Sequence, residues 1–526
     1  MKVLLIVPNY RLAKDAEHMY YSYVPYNLCL LAAMIENICE VKIIDAYANN
    51  YTHEKLRSII VDENPNVVGL TTLMDQMKKH GHAIAKIVKD YNPKIKVLYG
   101  GVYVTMNPNV AIKDKNVDYF FLGEGEHTLP ALIKYLKGDV PDLPKTGIMY
   151  VDKKTGEKIN LGRAELIKDL DSLPPPAYHL VDFSKYSTKV SRRNSVDSPR
   201  NFPYARLYTS RGCPYDCSFC QVGEISGRKF RFQSVKKVLD EIRILKGKFG
   251  IRSFIISDDN FFIHRRRVVE FLNRMIENDL VMPWLSEDTG VMHLDKELLD
   301  LCKKSGCEYI GCAIETGNDR IMKDVIKGKK FTKPHAMEMV RYAQSIGLFV
   351  AANFIIGFPT ETWDEITETL RFADKLSADY TRIFNLVPLK NTPLWEMCKK
   401  EDSFRDGYDH FNMSHSWNGG MIKAPAYTSN DLMVLRTFEW DRINFSNPRK
   451  RKKIANRLEM TDEELLLMRK QTRDGMYKRL KLNGLNDTNE ASSNSGNESS
   501  NLKQISEKKE QKQLREYQNR IKQVNT

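Results

Sequence analysis

Two long blocks of this chain alternate short apolar runs with amphipathic stretches of helical length, and that alternation leaves few folds open. In the first block, Lys2–Val7 is apolar, residues 28–38 have helical spacing, 41–45 form a strand ending in an acid, 67–71 a third strand and 82–90 a helix. Residues 97–99 then lead into Gly100-Gly101, and 119–122 into Gly123-Glu124-Gly125. Strands separated by helices require right-handed crossovers, which place them parallel in a sheet covered on both faces. The spacing predicts a doubly wound, flavodoxin-like α/β domain over residues 1–140, with ligands bound beyond the carboxyl ends of its strands. The glycines fall just after strands, where backbone turns tightly or approaches a ligand closely.

The alternation resumes over residues 205–398. Strands are expected at 205–208, 253–257, 309–314, 350–356 and 380–386, with helices at 235–249, 266–278, 296–304 and 333–345. Repeated βα units predict a full or partial barrel with its chemistry at the strand C-termini. Residues 141–204 lack a clear period, and Leu173-Pro174-Pro175-Pro176 is a stiff connector, so this stretch reads as a linker between domains. A chain of 526 residues exceeds what one core organises, in keeping with that division. Residues 399–482 look helical. The last stretch, 483–526, is rich in Asn, Ser, Lys, Glu and Gln and has too little apolar surface to offset its ordering entropy. It reads as a disordered polar tail, with room for a short charged helix at 506–522.

The net charge of +14 raises nucleic-acid binding as a function, but its distribution argues otherwise. Residues 447–526 hold 19 Lys and Arg against 11 Asp and Glu, more than half of the excess, so the charge reads as a solvated basic tail and no specific nucleic acid is expected. No apolar run is long enough to span a bilayer, and the apolar start is too short for a secretory signal. A cytoplasmic protein without a transmembrane segment is expected. In a reducing compartment, nine cysteines suggest metal or redox chemistry rather than a disulfide framework.

Three of those cysteines lie within eight residues, in Ser210-Arg211-Gly212-Cys213-Pro214-Tyr215-Asp216-Cys217-Ser218-Phe219-Cys220. The C-x3-C-x2-C spacing follows a strand. Three thiolates ligate three irons of a cubane and leave the fourth open to a small molecule. Structural zinc wants four ligands, usually in two pairs, and no fourth partner lies nearby in sequence. Cys302, Cys307 and Cys312 fall on a helix, a turn and a strand, and read as packing residues.

This motif, with an aromatic residue before the third cysteine, resembles the signature of the radical S-adenosylmethionine (SAM) superfamily. The resemblance implies a [4Fe-4S] cluster on Cys213, Cys217 and Cys220, chelation of the open iron by SAM, and cleavage of SAM to a 5′-deoxyadenosyl radical. An electron donor such as flavodoxin or ferredoxin is then implied. Downstream, the acids Asp258 and Asp259 of Ile256-Ser257-Asp258-Asp259-Asn260-Phe261 would stand where the family meets the SAM amine. Glu315, in Gly311-Cys312-Ala313-Ile314-Glu315-Thr316-Gly317, would accept from ribose hydroxyls. Gly357 and Pro359, in Gly357-Phe358-Pro359-Thr360-Glu361-Thr362, resemble a turn near the adenine. The bland alternative for Asp258 or Glu315 is a helix cap.

A doubly wound domain before such a barrel resembles the cobalamin-binding branch, which includes class B methyltransferases and the anaerobic magnesium-protoporphyrin ester cyclase. There the loops after strands three to five cradle the corrin, and the small residues Thr71, Thr72, Gly100, Gly101, Thr105, Gly123 and Gly125 hold the matching places here. The motif Asp-x-His-x-x-Gly, whose histidine ligates cobalt, is absent; Asp75, His80 and His82 do not match its spacing, and His80 reads as a surface residue. Where relatives have Pro-Gly-Thr, this chain has Lys390-Asn391-Thr392-Pro393. The resemblance implies a cobalamin-dependent methyltransferase acting on an unactivated carbon of a small-molecule or lipid substrate. The alternative is a cyclisation or rearrangement without methyl transfer.

Overall fold

The computed structural model describes residues 1–10, 23–73, 77–186, 195–406, 408 and 420–487. Most of the expected polar tail and the expected helix at 506–522 lie outside them, as does Asp75.

Five parallel strands build the first sheet: β1 (Lys2–Val7), β2 (Glu40–Asp45), β3 (Val67–Thr71), β4 (Lys96–Gly100) and β5 (Tyr119–Phe121). Their order is β2-β1-β3-β4-β5. Period-two alternation sends Leu4 and Ile6 into one buried cluster and Val3 and Leu5 into another, so both sheet faces are covered. The sheet continues past residue 140. β6 (Ile148–Val151) pairs antiparallel with β5, and β7 (Lys158–Asn160) antiparallel with β6. This hairpin is short, and β7 keeps no residue fully buried, so it leaves no period in the sequence.

Two short strands, β9 (Ser210–Arg211) and β10 (Arg231–Phe232), pair with each other, and the second sheet has six parallel strands: β8 (Tyr204–Leu207), β11 (Ser253–Ile256), β12 (Trp284–Thr289), β13 (Cys307–Glu315), β14 (Phe349–Ile356) and β15 (Tyr380–Asn385). They are neighbours in chain order, from β8 at one edge to β15 at the other, which makes a partial barrel of βα units. Two of its elements are absent from the periodicity reading. β12 carries Ser286 and Glu287, and Glu287 pairs with Arg206 of β8 at 2.5 Å, so an inward charge pair breaks the apolar run. The helix Trp363–Leu376 opens with a capping box between Thr362 and Glu365.

The C-terminal helices are Ser429–Phe445, Pro448–Leu458 and Asp462–Asp487. The described residues between Glu401 and Thr428 are not helical as the pattern predicts; they form turns and two isolated bridges, Phe404 with Ile422 and Ala424 with Tyr427. No described helix is long and apolar enough to cross a membrane.

The two sheets share an interface. Val24, Tyr26, Cys29 and Leu30 of the first domain belong to the barrel's own apolar core. Tyr178 donates to Glu241 at 2.6 Å, Tyr186 to Asp45 at 3.0 Å, and the amide of Ala177 to the carbonyl of Cys29.

Candidate iron–sulfur and cofactor site

The cysteine loop leaves the carboxyl end of β8 through a two-residue ladder, β9 (Ser210–Arg211) with β10 (Arg231–Phe232). Gly212 has φ +85, and a Cβ there would meet the carbonyl oxygens of Lys229 and Gly227 at 2.5 and 2.8 Å, so glycine is needed for the turn into Cys213. The loop is then tied along its length. Cys213 N donates to Gly227 O, Ser218 N to Ile326 O, and Leu394 N to Ser218 O. Gln221 donates to the carbonyl of Lys390 at 2.7 Å.

Burial raises all three thiols, Cys217 to about 12. Deprotonation therefore needs a metal or a nearby cation. Among the described residues, no group of three or more His, Cys, Asp or Glu side chains converges as on a single ion. A cubane offers each thiolate its own iron, so three thiols on one loop fit it better than they fit zinc. Cys302, Cys307 and Cys312 sit in the barrel core.

Asp258 and Asp259 follow β11 and turn back on the loop. Asp258 accepts from Thr209 N at 2.5 Å, Thr209 Oγ1 at 2.6 Å and Ser210 Oγ at 2.6 Å. Asp259 accepts from Gly212 N at 2.7 Å. Both carboxyls are raised by burial, against these donors. The acidic pair therefore braces the entry to the cysteine loop, a role the motif alone does not reveal.

Glu315 ends β13 in the left-handed region, φ +70, where the register between β13 and β14 slips. It forms an ion pair with Lys329, and the two side chains are 8% and 12% exposed. Lys329 follows Gly328, which packs against Cys217, and its charge works to lower the pKa of all three thiols against their burial. Sequence reasoning missed it; a Lys327-Gly328-Lys329-Lys330 run after a strand end is the one signal available. Further round the barrel, Glu361 receives the amides of Gly357 at 2.7 Å and Phe358 at 2.9 Å and so locks the turn that holds buried Pro359.

In the first domain the small residues gather at the carboxyl ends of β3, β4 and β5. Thr71 ends β3; Thr72 is buried and bonds Tyr99 at 2.8 Å. Gly101 has φ +98, and its Cβ would lie 2.5 Å from Thr72 O. Its smallness is therefore used by the protein's own backbone. A Cβ at Gly100 would lie 3.2 Å from Phe121 Cβ. Thr105 accepts the Gly123 amide at 3.0 Å, joining the β4 and β5 loops. A Cβ at Gly125 would make only ordinary contacts, the nearest at 3.4 Å to Leu31. His80 is buried, 5% exposed, rather than on the surface, because it packs against Tyr10 and His53.

Fold and site together define a two-domain enzyme whose cysteine loop lies at the strand ends of a βα barrel. The chain belongs to the radical SAM superfamily, in the branch that carries a B12-binding domain. The radical SAM superfamily model matches residues 207–373, and the B12 binding domain model residues 15–133. An uncharacterized methyltransferase of Pyrococcus horikoshii is 31% identical over 373 residues, 71% of this chain and 78% of the relative. The cytidylyl-2-hydroxyethylphosphonate methyltransferase of Streptomyces wedmorensis is 28% identical over 470 residues, 81% of this chain and 86% of that protein. Among solved structures, the cobalamin-dependent SAM radical enzyme OxsB, with aqua-cobalamin and SAM bound, shares the fold. Its TM-score is 0.67 at 19% identity, covering 86% of this chain and 70% of that one.

Proposed function

We propose that this enzyme is a cobalamin-dependent radical SAM methyltransferase acting on an unactivated carbon of a small-molecule or lipid substrate. The observation that carries the reading is the cysteine loop itself: a buried thiol, Cys217, between two half-buried ones, Cys213 and Cys220, braced by Asp258 and Asp259, with the charge of Lys329 acting on all three. The two methyltransferase relatives support methyl transfer over cyclisation.

When bound, the cluster supplies the electron that cleaves SAM's sulfonium, and the corrin supplies a metal that carries methyl. This chain's residues hold and shield that chemistry. Cys213, Cys217 and Cys220 would hold three irons and leave the fourth for SAM. Asp258 and Asp259 keep the loop entry fixed. Lys329 offsets thiolate charge and keeps Glu315 in place at the β13 end, where it would face the ribose. Glu361 holds the Gly357–Pro359 turn, which would lie against the adenine. Thr71, Thr72, Gly100, Gly101, Thr105, Gly123 and Gly125 form the strand-end floor on which a corrin would lie. A flavodoxin or ferredoxin would deliver the electron.

The test is product counting with anaerobically reconstituted enzyme, SAM and a low-potential reductant. Methyl transfer releases S-adenosylhomocysteine together with 5′-deoxyadenosine for each methylated product. 5′-Deoxyadenosine without S-adenosylhomocysteine, alongside a converted substrate, would replace this reading with a radical cyclisation.

A further inference from the structure

We propose that Glu124 and Glu126 are positioning residues that lock the cysteine loop to the first domain through Arg211 and set the charge around it. The proposal rests on the cofactor reading above.

Both acids lie in the loop after β5, interleaved with Gly123 and Gly125, on the strand-end side proposed for the corrin. Their carboxylates reach across the domain boundary. Arg211 Nη2 donates to Glu126 at 2.5 Å, and Arg211 Nη1 lies 3.2 Å from Glu124. Arg211 stands two residues before Cys213, with only Gly212 between them. Its ladder partner Arg231 grips Glu124 through both guanidinium nitrogens, at 2.8 and 3.0 Å. Arg231 also donates to the carbonyls of Ile167 and Ser226. Asp259, which holds the Gly212 amide, feels both arginines.

Three carboxylates and two guanidiniums thus surround the entry to the first cysteine. The four latch side chains are 3% to 19% exposed. An exposed bridge of this kind would contribute little, but removing one partner of a buried pair leaves an uncompensated charge. Elsewhere Tyr178 and Tyr186 tie the linker to a barrel helix and a first-domain strand, through Glu241 and Asp45, and Asn391, after β15, donates to the carbonyl of Met106. The Glu124–Arg211–Glu126 link ends on the segment that leads into Cys213. One-electron reduction adds negative charge to the cluster. The two glutamates therefore oppose it and Arg211 favours it.

The experiment compares full-length wild type with Glu124→Gln/Glu126→Gln, Arg211→Gln and Arg211→Lys. In apoprotein, hydrogen exchange of the amides of residues 210–221 should quicken in the double-glutamine and Arg211→Gln variants, with Arg211→Lys close to wild type. Unchanged exchange overturns the positioning role whatever the cofactors do. After anaerobic reconstitution with iron, sulfide and hydroxocobalamin, a resonance-monitored redox titration should move the cluster potential up in the double-glutamine variant and down in Arg211→Gln. A merely loosened loop would move both the same way, and that result overturns the electrostatic role. Wild type that takes up no iron or cobalamin would instead sink the functional reading, with the exchange arm still deciding the latch. If Arg211→Gln does not fold, the double-glutamine variant still decides the positioning role by exchange, and an unchanged or lowered cluster potential in it overturns the electrostatic role.

Discussion

Gly328 packs so tightly on Cys217 that a Cβ at position 328 would lie 2.5 Å from both the backbone nitrogen and Sγ of Cys217. The Ser218 amide donates to Ile326 O just beside this contact. The segment after β13 is therefore a template against which the middle thiol is set.

Gly328→Ala should displace Cys217, since neither partner is the far end of a flexible side chain. Overpacking of this kind costs about 1–3 kcal/mol. Iron and sulfide bound per chain after reconstitution should fall below half of wild type while the far-ultraviolet spectrum is retained. Full cluster content in Gly328→Ala would contradict the template.

The cobalt of a bound corrin should carry no ligand from His80 or His82. Both ring nitrogens of His82 are taken, by Asp114 at 2.6 Å and by Tyr103 at 3.1 Å. His80 is held inside the packing against Tyr10 and His53. Paramagnetic resonance of the Co(II) form should show no nitrogen superhyperfine coupling that depends on either residue. Coupling that vanishes in His80→Ala or His82→Ala would refute this.

Glu361 links stability to pH. Burial raises its carboxyl to about 8, against the amides of Phe358 and Gly357 that favour the anion. The folded-state pKa lies above the unfolded value of 4.5, so the folded form binds more protons between those limits. Stability from this group is complete below pH 4.5 and is lost as pH rises towards 8, by on the order of 4 kcal/mol. Glu361→Gln keeps an acceptor for both amides without the charge. It should flatten the fall in melting temperature between pH 5 and 8 and exceed wild type at pH 8. Parallel curves for the two proteins would show that Glu361 is ionised in the fold.

The sequence was most legible where periodicity and burial coincide. β1, with both faces covered, and the helices Val235–Phe249, Lys296–Lys304 and Lys333–Ser345 lie where their patterns place them. β12 was illegible because Glu287 points at Arg206, and an inward salt bridge reads as surface. The same limit applies to the site. The cysteine spacing is local, so it can be read directly. The turning of Asp258 onto Thr209 and Ser210, or of Lys329 onto Glu315, depends on contacts that no local pattern encodes. Gly101 shows the converse: its place after a strand was legible, but the space it leaves goes to Thr72 O.

Lys329 should control cluster assembly through its pairing with Glu315. The carboxylate of Glu315 is 8% exposed, and it and the three thiols are all anionic once a cluster is seated. Lys329→Met would leave that anion buried and unpaired, which typically costs about 3–5 kcal/mol. Bound iron should fall sharply in this variant. Lys329→Arg keeps the charge and should retain most of it. The informative variant is Glu315→Gln/Lys329→Met, which removes the unpaired anion together with its counter-ion. If the pair acts as a unit, the double variant should bind more iron than Lys329→Met alone, giving a coupling of about 0.5–3 kcal/mol. Losses that simply add would mean that Lys329 acts on the thiolates alone and that Glu315 is a bystander.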